Sequence, residues 1–182
     1  MEEFVTIEEN VDYTLTEKKS KFIANLIRVN SKEEAENEIK KFKKNYYDAR
    51  HNCFAYRVIE NNHIVEKASD DGEPSGTAGA PMLNILQKNG LCNILVVVTR
   101  YFGGTLLGTG GLIRAYTKRT QEGIKESMVI EKCLGVMLSL TCDYTTSGKI
   151  QYLTATEHIP VLDTVYTDNV TFEMIVPVEE VG

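Results

Sequence analysis

The chain has 182 residues, a length that fits one sizeable domain or two small ones. Its 26 acidic and 20 basic side chains give a net charge of −6, which argues against nucleic-acid binding through overall charge but allows a local basic patch. The N-terminus lacks the features of a signal peptide, and no run approaches the roughly 18 apolar residues of a membrane span. We therefore expect a cytoplasmic protein with no membrane partner.

The first fifty residues are predicted to form two strands and a helix. Residues 12–29 have the composition of two extended segments around the lysine-rich turn 18–21. Ser31 and Glu34 have the spacing of a capping box, and apolar residues then recur at helical spacing as far as Tyr46. Lysines occupy the opposite face, as is typical of a solvated surface helix.

A hairpin and an acidic loop come next. Residues 51–60 and 63–69 are predicted to be the hairpin strands, joined by an Asn-Asn turn. The loop 70–79 precedes a helix predicted over Met82–Lys88, with Pro81 where its first residue would be. The loop carboxylates could hold Mg²⁺ together with a bound phosphate, or they could cap their own backbone. These carboxylates are Asp70, Asp71 and Glu73.

A glycine-rich segment follows the apolar run Ile94–Val98, which predicts a fully buried strand. A strand, a glycine loop and a helix N-terminus together can bind an anion, because free N–H groups and the helix dipole favour negative charge. Neither familiar phosphate loop fits, since Thr109 replaces the Walker lysine and Ile113 replaces the third glycine of the dinucleotide fingerprint. A tight structural turn therefore remains an equal alternative. The glycines are Gly103, Gly104, Gly108, Gly110 and Gly111.

An amphipathic helix is predicted after this loop. Its inward face is expected to contain Leu112, Ala115, Tyr116 and Ile124. Its outward face is expected to carry three basic residues, Arg114, Lys118 and Arg119. The basic residues extend the positive charge that Arg100 brings to the other side of the loop.

The last fifty residues predict a second, smaller domain. The predicted elements are the strand Cys133–Leu140, the helix Thr146–Thr156, and the strands Ile159–Tyr166 and Val170–Val176. A boundary near residues 128–133 divides the chain into domains 1–130 and 131–182. The last strand alternates well enough to bury one face.

Metal and cofactor chemistry is not expected. The four cysteines are far apart, without CxxC spacing, and the three histidines add no recognised zinc pattern. Cys53 and Cys92 fall in predicted buried strands, where small core residues are common. No standard hydrolase, kinase or dehydrogenase motif is present, so catalysis is not the favoured interpretation.

Four motifs resemble the YigZ/IMPACT family. The first two are Lys19-Ser20-Lys21-Phe22 and the run from Ala49 to Arg57, with sequence ARHNCFAYR. The third is the run from Ser69 to Pro81, SDDGEPSGTAGAP. The fourth begins VTRYFGG at Val98 and continues through Leu107-Gly108 to GGLIRAY, which ends at Tyr116. Together they span roughly residues 18–120 and are specific in combination.

The resemblance implies an α/β (α+β) fold. Its N-terminal domain would be similar to the ribosomal-protein and elongation factor G domain IV fold. A small ferredoxin-like domain, similar to elongation factor G domain V, would follow. The sequence supplies only the βαββ part of that second fold, so we expect the final helix and strand to be missing and an edge to be open to partner chains.

The resemblance also implies a role in translation. Eukaryotic IMPACT proteins are associated with translational control under amino-acid stress through a protein partner, and the likeness to translation-factor domains suggests contact with RNA or the ribosome. We therefore predict a non-catalytic regulatory binding protein. The alternatives are a protein-interaction module for a stress-response or translation partner, and a phosphate-ligand enzyme that uses the acidic and glycine-rich loops.

The predicted binding surface surrounds the glycine loop. Tyr101 and Phe102 offer rings for unpaired bases, and arginine side chains can pair with phosphate. The alternative is that the rings are core residues and the arginines pair with the acidic loop. Besides the two rings and the five glycines, the predicted surface contains Arg100, Arg114, Lys118, Arg50, Arg57 and Lys21.

Overall fold

The computed structural model describes residues 3–177. The described chain divides into two compact units, of which the first spans Phe4–Lys132 and the second contains Glu3 and the residues from Cys133 onward. Both units mix helices and strands, which confirms the predicted α+β class. Among the described residues, no helix is long and apolar enough to cross a bilayer.

The first unit contains seven strands and three helices. In chain order they are β1 (Glu3–Ile7), β2 (Val11–Glu17), β3 (Ser20–Arg28), α1 (Lys32–Asn45), β4 (His51–Glu60), β5 (His63–Ser69), α2 (Gly79–Lys88), β6 (Ile94–Tyr101), α3 (Gly108–Glu126) and β7 (Val129–Cys133). Five strands form an antiparallel sheet in the order β2-β3-β6-β4-β5, and β1 pairs with β7.

The central strand β6 explains the three-layer arrangement of the first unit. Ile94, Val96 and Val98 pack in one core with α2 and α3, whereas Leu95 and Val97 pack in a second core with α1. A strand that is buried on both faces has no polar face, so its sequence is continuously apolar instead of alternating. This is why the run was recognisable as a buried strand.

Several local predictions are confirmed. The Ser31 hydroxyl accepts a hydrogen bond from the Glu34 N–H at 3.1 Å and caps α1. Asn61 and Asn62 have φ values of 49° and 64°, as a two-residue hairpin turn between twisted strands requires. Both hairpin strands have the predicted bounds.

Other boundaries differ from the prediction. Strand β6 continues to Tyr101, so Arg100 lies within the sheet and not in a loop, because β3 and β4 both continue to pair with it. Helix α2 begins at Gly79, and Pro81 lies inside its first turn. Cys92 lies just before β6, although it is buried as expected.

The prediction that Arg119 faces solvent is wrong. Its side chain is fully buried on the inner face of α3, three residues after Tyr116 and seven after Leu112. Glu17 and Glu122 accept hydrogen bonds from its guanidinium at 2.8 and 2.9 Å, so the buried charge is neutralised.

The second unit is a three-stranded antiparallel sheet with one helix. Its elements are β8 (Gly135–Cys142), α4 (Tyr144–Thr156), β9 (Val161–Tyr166) and β10 (Val170–Pro177), and the sheet order is β8-β10-β9. The predicted strand Cys133–Leu140 is in fact two strands, because β7 ends at Cys133 and β8 begins at Gly135.

The last strand forms the core of this unit as predicted. Its alternate residues Val170, Phe172, Met174 and Val176 are buried. The order of elements is the predicted βαββ pattern. The predicted absence of a further helix and strand concerns the chain after Pro177, which lies outside the described residues.

Candidate functional site

A pocket of about 480 Å³ opens in the first unit where β6 ends and α3 begins. Its walls come from the start of β4, the acidic loop, the segment after β6 and the first turn of α3. The polar lining comprises Arg50, His51, Glu73, Arg100 and Thr109. The apolar lining comprises Phe102, Leu106, Leu107 and Leu112.

A buried ion pair lies in the wall of this pocket. Glu73 Oε1 is 2.7 Å from Arg100 Nη1, and the two side chains are only 3% and 6% exposed. The Tyr116 hydroxyl donates a hydrogen bond to the same oxygen at 2.9 Å. The Arg100 guanidinium also lies 5.6 Å and 5.7 Å from the ring centres of Phe22 and Phe102. Arg100 is therefore held rigidly and is not a mobile surface arginine.

This cluster contains one unpaired buried donor and one contact that is too long for a hydrogen bond. Arg100 Nε is buried and has no hydrogen-bond partner within residues 3–177. The second Glu73 oxygen, Oε2, lies 3.9 Å from Nε2 of His51, beyond hydrogen-bond range. Nδ1 of His51 is 3.0 Å from the Asp71 carbonyl oxygen, and only a protonated nitrogen can bond to that acceptor. Nε2 is therefore the ring nitrogen that faces the Glu73 carboxylate.

The buried hydroxyl and thiol of the cluster stay protonated. Burial, together with Cys53 and Glu73 nearby, raises the pKa of Tyr116 far above its ordinary value. Burial also raises the pKa of Cys53 to about 12, and its thiol donates to the Asp70 carbonyl. Since the thiolate is the reactive form of cysteine, Cys53 is not poised as a nucleophile.

Two of the three carboxylates of the acidic loop hold the loop in place. Asp70 accepts hydrogen bonds from the N–H groups of Gly76, Ala78 and Gly79 at 2.8 to 2.9 Å. Burial alone would raise the pKa of Asp70, but these bonds lower it overall. Asp71 accepts from the Asn52 N–H at 2.8 Å. Among the three carboxylates of this loop, only Glu73 lines the pocket.

The glycine loop packs against the turn between β2 and β3. A Cβ atom on Gly103 would overlap the backbone of Lys19, so only glycine allows this approach. The hydroxyl of Ser20 accepts hydrogen bonds from the Gly103 N–H at 3.3 Å and from Arg100 Nη2 at 3.4 Å. Gly108 has a φ of +71° where the loop enters α3. The loop is thus a precise structural turn that also forms one wall of the pocket.

The structure brings several other predicted residues to this end of the sheet. Arg50 and Phe102 line the pocket, and the Phe102 ring is 46% exposed. Lys21 is exposed and pairs in register with Tyr101, whose hydroxyl donates to Asp48 at 2.8 Å. The remaining glycines, Gly104, Gly110 and Gly111, lie in the loop or in the first turn of α3.

Three basic residues lie elsewhere. Arg57 does not join the cluster, because it pairs with Ile94 at the other end of β4 and β6. Its guanidinium is bound to Glu66 at 2.6 Å and to the Leu91 carbonyl at 2.9 Å. Arg114 and Lys118 line a different cavity along α3, of about 620 Å³.

Two polar contributors to this site and one apolar one are not predicted from the sequence. No binding role is predicted for His51, and Tyr116 is predicted only as a residue on the inward face of its helix. Leu106, 84% exposed beside the pocket, is not among the predicted surface residues. The register that places His51 opposite Arg100 is the signal that finds the histidine, and it exists only once β4 is paired with β6.

Among residues 3–177, no group of three or more histidine, cysteine or acidic side chains is arranged to hold a metal ion.

Comparison with known proteins shows the family. The Impact N-terminal domain model matches residues 18–124, a span that contains every residue lining the 480 Å³ pocket. The chain belongs to the IMPACT family. A second model, described as a domain of unknown function, matches residues 140–182 of this IMPACT family chain. The predicted resemblance is therefore confirmed.

Individual relatives agree with this result. The IMPACT family member YvyE of Bacillus subtilis is 45% identical over 177 residues, covering 97% of this chain and 81% of that protein. YigZ of Escherichia coli is 38% identical over 128 residues, covering 70% of this chain and 63% of that protein. A crystal structure of a hypothetical protein is 32% identical, covers all of this chain and 88% of its own, and superposes with a TM-score of 0.73.

Proposed function

We propose that this chain is a regulatory binding protein of translation that contacts single-stranded RNA at the pocket end of its central sheet. The observation that carries this proposal is the Phe102 ring, which is 46% exposed and stands over the fixed Arg100 guanidinium. An exposed aromatic residue beside a fixed cation offers a platform for an unpaired base, because every base has a face that can stack.

The charge around this ring supports contact with a phosphate backbone. Arg50 lines the same pocket and is exposed. Lys19 and Lys21 are exposed on the turn and strand against which the glycine loop packs. Such a local basic cluster attracts phosphates although the whole chain carries a net charge of −6.

Binding is favoured over catalysis by the chemistry of the buried groups. Cys53 and Tyr116 are held protonated, and two of the three acidic-loop carboxylates bind backbone N–H groups. The link to translation comes from the translational control associated with the eukaryotic members of the family. Regulation through RNA or ribosome contact is the function that joins these two lines of support.

A protein partner is the second candidate, and Leu106 favours it. This side chain is 84% exposed beside Phe102, and exposed apolar pairs suit protein interfaces. Salt separates the two candidates, because phosphate contacts release counterions and lose affinity steeply as salt rises.

A salt titration with labelled single-stranded RNA tests the RNA proposal. We expect saturable binding that falls linearly on a log–log plot, and Phe102→Ala should weaken it at least about fivefold through lost stacking. Tyr152→Ala is the matched control, since Tyr152 is 74% exposed in the second unit. Absence of RNA binding at low salt would transfer the proposal to a protein partner.

A further inference from the structure

An open groove with a basic lining runs along the outer side of α3 in the first unit. Two cavities, of about 620 Å³ and about 630 Å³, share Ile113, Thr117 and Gln121, so they are neighbouring parts of one groove between α2 and α3. We call it the α3 groove. Its cations, all exposed, are Arg114, Lys118 and Lys125 from α3 and Lys88 from α2.

Helical spacing places three of these cations in one row. Arg114, Lys118 and Lys125 all lie on α3, where successive residues are about 100° apart around the axis. The three side chains therefore project within about 40° of one another, and they extend over about 17 Å at a rise of about 1.5 Å per residue. A row of charges along a helix suits an elongated polyanion better than one small anion.

The chain itself leaves most of this positive charge unpaired. Arg114 and Lys125 form no ion pair with any residue in 3–177, and Lys118, 60% exposed, lies 3.7 Å from Glu122. Among the described residues that line the groove, Glu122 is the only acidic one, and it also accepts a hydrogen bond from the buried Arg119. Four positive charges thus face one negative charge, which favours an anionic partner.

The apolar content of the groove favours RNA over an acidic protein segment. Ile113 is 40% exposed, whereas Ile85 in the same lining is 6% exposed. Among the described residues that line the groove, none is aromatic. Protein interfaces usually have a core of large apolar and aromatic side chains, but phosphate contacts need only cations and polar groups.

The groove continues the 480 Å³ pocket past the first turn of α3. A terminal nitrogen of Arg114 lies 3.5 Å from the position that a Cβ atom on Gly110 would occupy. The guanidinium therefore points back toward the start of the helix, as long helical side chains do. Thr109, which precedes Gly110, lines the pocket. A strand with one base on Phe102 would thus meet Arg114 as it leaves the pocket.

We propose that single-stranded RNA leaves the pocket along the α3 groove, with its phosphates against Arg114, Lys118 and Lys125. The inference rests on the proposed RNA-binding function and extends that contact from one stacked base to a run of phosphates. It requires a binding site several nucleotides long, within the range of about 4–16 nucleotides that other single-strand binding folds occupy.

The test compares oligouridylates of four and twelve nucleotides, each titrated over a range of salt against the native chain and Lys118→Gln/Lys125→Gln. With the longer RNA, we expect this variant to bind about tenfold or more weakly at about 0.1 M salt. The slope of log K against log salt should fall in magnitude by about 1.4, because each phosphate contact of a single strand contributes about 0.7. The shorter RNA should lose much less affinity, because it ends before the far part of the groove.

Lys40→Gln/Lys44→Gln is the matched control. Both lysines are exposed on α1, which packs on the opposite face of the sheet from α3. The control makes the same chemical change and removes the same two charges, so it should leave the binding of the longer RNA almost unchanged. Glutamine is favourable in helices, and thermal unfolding should show both double variants to be folded.

The outcomes separate this proposal from the RNA-binding function on which it rests. Equal weakening by the two double variants, or equal weakening of both RNA lengths by Lys118→Gln/Lys125→Gln, would overturn the groove and leave RNA binding at the pocket standing. Unchanged RNA binding in Phe102→Ala, with weakening in the groove variant, would support the groove and overturn the stacking platform. Absence of RNA binding to the native chain would overturn both. A polyglutamate peptide of equal charge that competes as well as the longer RNA would overturn the RNA assignment in favour of an acidic protein.

Discussion

Glu73 and Arg100, 27 positions apart in the chain, form an ion pair of 2.7 Å that is almost completely withdrawn from solvent. Each charge lowers the free-energy cost of burying the other, and Tyr116 donates a hydrogen bond to the carboxylate. The pair joins the acidic loop to the C-terminal end of the central strand β6. Its first role is therefore to build the pocket wall, and any ligand binds to a charge arrangement that is already in place.

Removing one member of this pair is expected to destabilise the chain strongly. Arg100→Met leaves the Glu73 carboxylate buried without its cation, which should lower the free energy of unfolding by about 3–5 kcal/mol. The double variant Arg100→Met/Glu73→Gln should lose less than the sum of the single changes, because the two effects share one interaction. Urea unfolding measures all three. Strict additivity would contradict the pairing.

A surface pair provides the control for that experiment. Lys41 and Glu38 are also within ion-pair distance, but the Lys41 side chain is 66% exposed. Lys41→Met should change the free energy of unfolding by less than about 1 kcal/mol, because exposed pairs contribute little.

The glycines of the loop are expected to differ in their tolerance of alanine. At Gly103 the added Cβ would overlap the Lys19 backbone, so Gly103→Ala should lower the free energy of unfolding by about 1–3 kcal/mol. At Gly110 the nearest atom is the flexible end of Arg114 at 3.5 Å, and alanine there should be neutral or slightly stabilising. Thermal unfolding of both variants checks this order, and equal melting temperatures would show that the loop does not pack on Lys19 as described.

The Asp70 carboxylate is expected to contribute stability that depends on pH. Because its pKa is lower in the folded chain than in the unfolded one, its contribution is complete above the unfolded pKa of about 4 and disappears as pH falls through the folded value. Asp70→Ala should therefore lower the free energy of unfolding by about 1–2 kcal/mol at pH 7, as for other helix-capping carboxylates. The difference from the native chain should shrink toward pH 3. Asp12→Ala, an exposed change on β2, is the control for removing a carboxylate elsewhere in the first unit.

The four cysteines should react with a thiol reagent in a defined order. Cys133 is exposed and Cys142 is half-buried, whereas Cys53 and Cys92 are buried. Burial raises the pKa of the Cys53 thiol to about 12, so its thiolate fraction at pH 8 is negligible. Alkylation followed by peptide mass spectrometry should label Cys133 first and Cys53 only after urea is added. Rapid labelling of Cys53 in the native chain would mean that the pocket wall opens.

Local chemistry made most of the fold predictable from the sequence. Ser31 and Glu34 predict the start of a helix, and the Asn61-Asn62 pair predicts a tight hairpin. The alternation from Val170 predicts a strand with one buried face. Each of these signals is contained within a few residues. The chain therefore carries them whatever it packs against.

The errors concern charged side chains whose partners are distant in sequence. Arg119 has the helical phase of a core residue, but its charge predicts a solvent position, because its partner Glu17 lies 102 residues away in the chain. Arg57 lies on a strand of the correct sheet but at its opposite end. Strand register decides such positions, and register cannot be read from the spacing of charges alone.

The sequence predicts which loops form the candidate site but not which of their side chains pair. The glycine loop and the acidic loop do meet, as their opposite charges suggested, but Glu73 is the carboxylate that joins them. The contribution of His51 depends on the pairing of β4 with β6. The binding roles of Arg100, Phe102 and the glycines remain predictions that the RNA experiments test.

Because β6 is the central strand, the pocket forms only when the sheet of the first unit is folded. The pocket wall exists only when β3 and β4, which come from distant parts of the chain, are both paired with this strand. An occupant would therefore resist global unfolding and not only local opening, adding about 2.7 kcal/mol at a concentration 100 times its dissociation constant. Amide hydrogens deep in the sheet, far from any contact with the occupant, should then exchange with solvent more slowly, so that the slowest-exchanging strands would report on the pocket.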